Sequence, residues 1–359
     1  MLARATSSDD AKSPHSVSEV ESQQFSTTSY AQDRNLLSEF GISRQQELQL
    51  MVCYMNKTSQ TLAHDGDDLV AWRETIPEEA IQHHFLMDGL LAMAALHFAY
   101  ENPNSRSHYT QVAIRYQNSS LQVYNRHLGN INEENCTALF AYSVLVNLMA
   151  IAFPNTSSDS APSSHTEGIM TMLELIRGIG LIHNSTSSIY RSGKLGSFYR
   201  DVPTNIRPDD ETEAALERLR QRSNTLLASE SIDGNRHSVY LSSIHSLEVA
   251  FAFTTVSSHL GRIMGWPASL QPSENCEKLM NLFKHGDVMT QLIYMYYGVL
   301  LLHTRHRWWG QRTGASLIQH LAISVRAAGP DWAVETKWPM EMAKRAAEKD
   351  GGIFAQQDS

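Results

Sequence analysis

The chain has 359 residues, of which 42% are hydrophobic, and a formal net charge of -9. This length and composition suffice for one large buried core or for two closely packed ones. The negative charge and the lack of clustered Lys and Arg disfavour binding to nucleic acid phosphates, so we expect any contact with DNA to come through a partner. Cys53, Cys136 and Cys276 are far apart in sequence, which favours small buried side chains in a reducing compartment over a disulfide framework.

The beginning of the chain differs from the rest in composition. Residues 1–42 are rich in Ser, Thr, Gln and Asp and poor in large apolar side chains. Such a segment buries too little surface to offset its ordering entropy, so it is predicted to be a disordered tail. It lacks the pattern of a signal peptide, and the apolar runs around 85–98 and 292–302 are too short or too interrupted to span a bilayer. We therefore expect a soluble intracellular protein.

Helical signals begin directly after the tail. A capping box of Ser43 and Gln46 predicts the first helix. Its apolar stripe consists of Leu48, Met51, Val52 and Met55. A second box begins at Thr75, and the stretch 85–99 that follows is apolar nearly all round, which is typical of a helix in the middle of a protein.

The remaining chain continues with the helical period. The patterns cover 109–128, 132–154, 169–176, 210–228, 238–264, 287–304, 314–328 and 338–348. Residues 184–208 form an extended polar loop in this interpretation, and no run alternates with period two for long enough to predict a strand. The sequence therefore predicts an all-α fold, a single large multi-helix domain over 43–348, with a flexible tail at 349–359.

Two groups of residues have spacings that suit a metal ion. Asp209, Asp210 and Glu213 have the spacing of the paired acids with which helical terpene cyclases hold magnesium on a diphosphate, but they also suit the positive end of a helix dipole. His303 and His306 have Arg305 and Arg307 beside them and no acidic or Cys third ligand near in sequence. We therefore predict no metal, no cofactor and no catalytic residue. The alternative is a helical magnesium-dependent enzyme that acts on an isoprenoid.

The late helices concentrate Met and aromatic residues. They include Met289, Tyr294, Met295, Tyr296, Tyr297, Trp308 and Trp309. One interpretation is ordinary core packing. The other is a pocket wall, because thioethers and flat rings with polar tips suit a rigid apolar ligand. In that second interpretation the helix at 85–99 forms the opposite wall, and the predicted ligand-binding residues are Met93, His97, Tyr294, Tyr297 and Leu301.

A family pattern runs through several of these segments. It comprises Glu47-Leu48-Gln49-Leu50-Met51, Trp72-Arg73, the run from Phe85 to His97, Tyr109, Ala113, the run from Tyr297 to His303, Trp308-Trp309 and Trp338-Pro339. Over roughly residues 46–340, the chain resembles the regulatory domain of fungal zinc-cluster transcription factors of the sterol uptake control type. The resemblance implies an all-α domain, nuclear residence with shuttling, and, in the sterol-sensing members, an apolar pocket for ergosterol.

The chain departs from that family in one respect. Members carry a six-cysteine zinc cluster, and residues 1–42 contain no cysteine. We therefore expect that this chain does not contact nucleic acid directly and acts with other transcription factors as a homo- or heterodimer. Its expected ligand is a sterol or another apolar small molecule. Many relatives sit beside secondary-metabolite genes, so the resemblance also implies control of a biosynthetic cluster.

Overall fold

The computed structural model describes residues 42–156, 171, 173–175, 205–257, 260–270 and 274–357. Across these ranges all regular structure is helical and no strand occurs, as the sequence predicts. The described residues from Glu47 onward belong to one compact unit. The predicted tail, apart from residue 42, lies outside the described residues, as do residues 184–204 of the predicted loop. Half of the short predicted helix at 169–176 is described, and those residues, 171 and 173–175, are helical.

The helices before position 157 follow one another with short connections. They are α1 (Arg44–Cys53), α2 (Ser59–Leu62), α3 (Gly66–Val70), α4 (Ile76–Gln82), α5 (His84–Glu101), α6 (Arg106–His127) and α7 (Cys136–Thr156). Two π-helical turns, Tyr54–Thr58 and Ala71–Thr75, join α1 to α2 and α3 to α4, and the Tyr54 hydroxyl donates a hydrogen bond of 2.8 Å to the Trp72 carbonyl. The two turns are thereby tied together.

The helices after position 204 form the second part. They are α8 (Asp210–Ala228), α9 (Gly234–Thr254), α10 (Leu260–Met264), α11 (Glu274–Lys284), α12 (Val288–Leu301), α13 (Thr313–Ala327), α14 (Pro330–Glu335) and α15 (Lys337–Gln357). The predicted helix at 238–264 is interrupted between Thr254 and Leu260, and α11 was not predicted. The last helix was predicted to end at 348, whereas α15 continues to Gln357.

The two predicted capping boxes have different outcomes. The Gln46 amide donates to the Ser43 hydroxyl at 3.2 Å, and the Ser43 amide donates to the Gln46 side-chain oxygen at 2.9 Å, so the first box is confirmed. The second box is wrong, because Thr75 has helical backbone angles and its side chain caps nothing. A capping residue needs an extended backbone, and the chain is already helical when it reaches Thr75.

The predicted apolar stripe of α1 is not its buried face. Leu48 and Val52 are each 59% exposed, whereas Leu50 and Cys53 are buried. Leu50, Cys53 and Tyr54 form a second stripe with helical spacing, so the period alone did not distinguish the two. The buried hydrogen bond of Tyr54 belongs to the second stripe and determines which face is inside.

Two helices, α5 and α12, carry long runs of buried side chains. α5 packs mainly against α6 and α7, and α12 packs mainly against α13, with further contacts to α9, α11 and α15. A methyl group on Gly89 of α5 would lie 2.8 Å from the ring of Tyr142, so this glycine permits the close approach of α7. The helix α7 itself has one stretch, Cys136–Phe153, that is apolar enough to cross a membrane, but 78% of it is buried inside the protein. We assign that stretch to the core. The three cysteines are buried and form no disulfide, as predicted.

Asp287 has two functions at the start of α12. Its carboxylate accepts a 2.8 Å hydrogen bond from the Thr290 amide, which caps the helix, and a 2.8 Å bond from the Tyr240 hydroxyl of α9. Asp287→Ala should therefore lower the free energy of unfolding by about 2 kcal/mol, since it removes a cap and leaves a buried hydroxyl without its partner. Chemical denaturation measures this loss.

Asp233 provides the matched control for that prediction. It caps α9 through a 2.7 Å bond from the Arg236 amide, and its carboxylate bonds to no second helix among the described residues. Asp233→Ala should therefore cost about 1 kcal/mol, the usual value of a cap alone. Equal losses in the two variants would show that the bond to Tyr240 contributes nothing.

Candidate functional site

A cleft of about 630 Å³ lies where three separate parts of the chain meet. It is lined by Lys57, Gln60, Thr61, His97, Tyr100, Glu101, His306, Arg307, Trp308 and Gln311. These residues come from the chain around α2, from the C-terminal turn of α5 and from the turns after α12. The volume is in the range of sites for small molecules, and the rim residues Lys57, Gln60 and Gln311 are exposed to solvent.

His97 closes the inner end of the cleft. Its ring stacks on the indole of Trp308 with centroids 4.7 Å apart and an interplanar angle of 2°. Its Nδ1 is hydrogen-bonded to the Thr58 hydroxyl at 3.0 Å, and its Nε2 lies 3.9 Å from the Glu101 carboxylate. Burial lowers the pKa of His97 to about 4, although the charge of Glu101 acts in the opposite direction. The imidazole is therefore neutral at physiological pH.

The turn after α12 is fixed to the C-terminal end of α2. Arg307 donates through Nη1 to the carbonyls of Gln60 and Thr61, at 3.3 and 2.8 Å. Trp308 donates its indole N–H to the Thr61 hydroxyl at 3.0 Å, and Trp309 donates to the Thr61 carbonyl at 3.2 Å. The last carbonyls of a helix lack partners within the helix. The Arg-Trp-Trp segment, 246 to 248 residues further along the chain, supplies those partners.

The charged and polar groups at the mouth are paired with one another. Lys57 and Glu101 form an ion pair of 2.8 Å, and the hydrogen bond with Glu101 raises the pKa of Lys57. The Gln311 amide donates to the Tyr100 hydroxyl at 2.8 Å. Burial lowers the pKa of Arg307, while the charge of Asp68 raises it. The cleft therefore combines a flat apolar inner wall with a mouth of charged and hydrogen-bonding groups.

Tyr294 and Tyr297 lie in a different part of the protein from this cleft. The Tyr297 ring is 5.0 Å from Trp266, the Tyr294 ring is 4.8 Å from Phe283, and the two tyrosine rings are 6.4 Å apart. The Tyr297 hydroxyl donates to the Met264 carbonyl at 2.7 Å. Burial raises the pKa of both tyrosines. These rings thus make the contacts of a packed aromatic cluster.

The other two predicted ligand-binding residues are also buried. Met93 is 0% exposed on α5, and Leu301 is 1% exposed at the end of α12, beside Gly314. Of the five residues predicted as two walls of one cavity, only His97 belongs to the cleft lining. The structure places Met93, Tyr294, Tyr297 and Leu301 away from it, and their binding of a ligand stays a prediction.

Sequence reasoning missed most of the lining. Gln60 and Thr61 carry no motif, and Arg307 was considered only as a neighbour of the histidine pair. One signal was available, since the tripeptide Arg307-Trp308-Trp309 combines three long donor side chains. Its acceptors are backbone carbonyls, which exist at every residue and leave no trace in the sequence.

The acids that were considered as magnesium ligands lie at the start of α8. Asp209 caps α8, where its carboxylate accepts from the Thr212 amide at 3.0 Å and from the Thr212 hydroxyl at 2.7 Å. Burial would raise the pKa of Asp209, but the hydrogen bonds from Thr212 lower it. Glu211 is bonded to Arg345 at 2.9 Å. Within the described ranges, no group of three or more His, Cys, Asp or Glu side chains is placed to hold a metal ion. Asp209 and Glu211 therefore have structural contacts at the start of α8.

Comparison with known proteins gives a consistent result. Residues 49–202 match the family described as the fungal specific transcription factor domain. A Zn(2)-C6 fungal-type transcription factor of Gibberella zeae is 33% identical over 133 residues, which is 34% of this chain and 26% of that protein. Sterol uptake control protein 2 of Candida albicans is 29% identical over 139 residues, which is 36% of this chain and 19% of that protein.

These matches confirm the resemblance that the sequence predicts. The aligned part spans about a quarter of the first relative and about a fifth of the second. The region matched by the family includes Lys57, Thr61 and the helix α5 with His97. Arg307 and Trp308 lie outside that region. The cleft is therefore built jointly by the matched region and by the second part of the chain.

Proposed function

We propose that this chain is the regulatory part of a fungal transcription regulator, and that a small molecule bound in the His97 cleft controls it. The observation that carries the proposal is that the cleft joins the family-matched region, 49–202, to the turn at 306–311. A ligand in this position touches both parts at once. It can then favour one arrangement of the two over another, which is the requirement for control by binding.

The lining supports an amphipathic ligand. The stacked rings of His97 and Trp308 offer an apolar wall, while Lys57, Glu101 and Gln311 offer polar groups at the mouth. Sites for small molecules commonly have such a wall and a few polar groups. Sterols, the ligands implied by the family resemblance, are amphipathic molecules of this kind. Location in the nucleus, pairing with another transcription factor and control of sterol or secondary-metabolite genes belong to the same proposal.

Ergosterol is the probe for a test with the purified full chain. It should stabilise the fold by about 2.7 kcal/mol at a hundredfold excess over its dissociation constant. Gln60→Trp should abolish this stabilisation, because Gln60 is exposed on the lining and a bulky ring there fills the cleft from its mouth. Thermal unfolding with and without ergosterol measures both effects.

Gln221 provides the matched control. Both glutamines are exposed on helices and bond four residues back, Gln60 to the Asn56 carbonyl and Gln221 to Glu217. Gln221→Trp should leave the stabilisation by ergosterol unchanged. Stabilisation that persists in Gln60→Trp would place the ligand elsewhere, and the buried group around Tyr294 and Tyr297 would be the next location to test.

The regulatory part of the proposal has its own readout. The chain fused to an unrelated DNA-binding module should change the output of a reporter gene in a fungal cell when sterol is depleted. The Gln60→Trp fusion should not respond, whereas the Gln221→Trp fusion should respond like the parent. A reporter output that is independent of sterol in all three fusions contradicts control by this class of ligand.

A further inference from the structure

The guanidinium of Arg307 is held rigidly with part of its donor set unused. Its Nη1 bonds to the carbonyls of Gln60 and Thr61, which fixes the plane of the group. A guanidinium has five N–H donors in a flat fork, and among the described residues no partner bonds to the Nε or Nη2 of Arg307. Arg307 lines the cleft, so the unused donors belong to a preorganised group at a site for small molecules.

A second cation stands at the same cleft. Lys57 is 57% exposed at its side chain, and among the described residues its one ion-pair partner is Glu101, which leaves ammonium donors available to a ligand. The lining thus contains two cations, Lys57 and Arg307, against one carboxylate, Glu101, which leaves an excess of one positive charge. Asp68 acts on Arg307 but is 3% exposed and does not line the cleft. The cleft is locally cationic on a chain whose formal net charge is -9.

We propose that the cleft recognises an anionic amphipathic molecule, with a carboxylate on the free edge of Arg307 and beside Lys57 and an apolar ring system against Tyr100 and Trp308. The inference rests on the proposed function, because it names the chemical class of the ligand at the same site. A carboxylate matches the guanidinium fork in shape as well as in charge. The preorganised Arg307 avoids the entropic cost of ordering a free side chain.

A pair of fluorescent probes isolates the charge. Pyrenebutyrate and pyrenebutanol share their ring system and chain length and differ in the carboxylate. Titrated into the full chain at low salt, pyrenebutyrate should bind at least about tenfold more tightly, a difference of about 1.4 kcal/mol. The preference should shrink as salt is added, since the mouth of the cleft is open to solvent.

Two variants should remove the preference by different amounts. Arg307→Gln should abolish it, while Arg307→Lys, which keeps the charge and loses the fork, should retain a small part. Because Arg307 also holds the end of α2, circular dichroism and thermal unfolding check that each variant folds.

Lys57→Gln leaves the bonds of Arg307 in place and should weaken pyrenebutyrate binding about threefold or more without changing pyrenebutanol binding.

Lys278 is the matched control for Lys57. It also forms a 2.8 Å pair with a glutamate, Glu274, on the exposed face of α11 and away from the lining. Lys278→Gln should bind both probes like the parent chain. Equal affinities for the two probes, or an unchanged preference in Lys57→Gln, overturn the anion site. If ergosterol still stabilises the chain in that case, the proposed function stands without it. If ergosterol and both probes fail to bind, both proposals fall.

Discussion

Gly314→Ala is expected to lower the free energy of unfolding by about 3 kcal/mol or more, because the added methyl group would meet backbone atoms that cannot move aside. A Cβ at this position would lie 2.6 Å from the Gly298 carbonyl oxygen and 2.8 Å from the Leu302 nitrogen. These atoms belong to the end of α12, so relief requires α12 and α13 to separate. Denaturant unfolding measures the loss.

Alanine substitutions at Gly298 and Gly234 provide two comparisons for the stability loss expected in Gly314→Ala. A Cβ on Gly298 would lie 2.6 Å from a side-chain carbon of Ile318, which can rotate, and 3.2 Å from the Gly314 carbonyl oxygen. Gly298→Ala should therefore cost less than Gly314→Ala. At Gly234 nothing lies within 4 Å, and Ala there should be neutral or stabilising by up to about 1 kcal/mol. A loss in Gly314→Ala no greater than in Gly234→Ala would falsify the backbone contact.

The close contact between α12 and α13 also positions residues of the cleft. The residues that follow α12 form the turn of Arg307 and Trp308, and that turn bonds to Thr61. A variant that moves α12 away from α13 should thus also weaken ligand binding at the cleft, whereas Gly234→Ala should not. Binding of the pyrene probes by the folded fraction of Gly314→Ala tests this connection.

The fold class followed from local information, and the choice of packing faces did not. Helical period, capping residues and Gly and Pro positions predicted most long helices to within a few residues. The helix α11 was missed because Pro272 and Gly286 enclose it, although its buried residues recur with helical spacing. They are Asn275, Cys276, Leu279, Met280 and Phe283. For α1 two stripes compete, and a hydrogen bond from Tyr54 to a distant carbonyl distinguishes them.

The candidate site was predictable only in part, for a physical reason. His97 was predicted to bind a ligand because it is polar in an apolar helix. Trp308 was named with Trp309 in the group of Met and aromatic residues. The stacking of His97 on Trp308 joins positions 211 residues apart, which no local pattern encodes. Tyr297 was predicted to bind a ligand because its ring has a polar tip, and in the structure that hydroxyl donates to the Met264 carbonyl. Backbone acceptors of this kind become visible only in three dimensions.

Lowering the pH from 6.5 to 4 is expected to destabilise the protein through His97 by up to about 3 kcal/mol. The folded-state pKa of His97 is lowered by burial from its ordinary 6.5 to about 4. Between these values the unfolded chain binds a proton that the folded chain does not, so stability falls as pH falls, by about 1.4 kcal/mol per pH unit. The contribution is fully present above pH 6.5 and is lost as pH falls toward 4.

His97→Asn isolates this contribution from the carboxylates that titrate in the same range. Asn offers a polar group for the bond to Thr58 and has no proton to gain, so the stability of the parent minus that of the variant should decrease by up to about 3 kcal/mol from pH 6.5 to 4. His245→Gln is the control, because its ring is 73% exposed, and its difference from the parent should vary far less. Urea unfolding at half-unit pH intervals gives both curves. A parent-minus-variant difference that stays constant over this range would mean that His97 takes up its proton as readily in the folded protein as in the unfolded chain. The stacked, desolvated environment assigned to it beside Trp308 would then be incorrect.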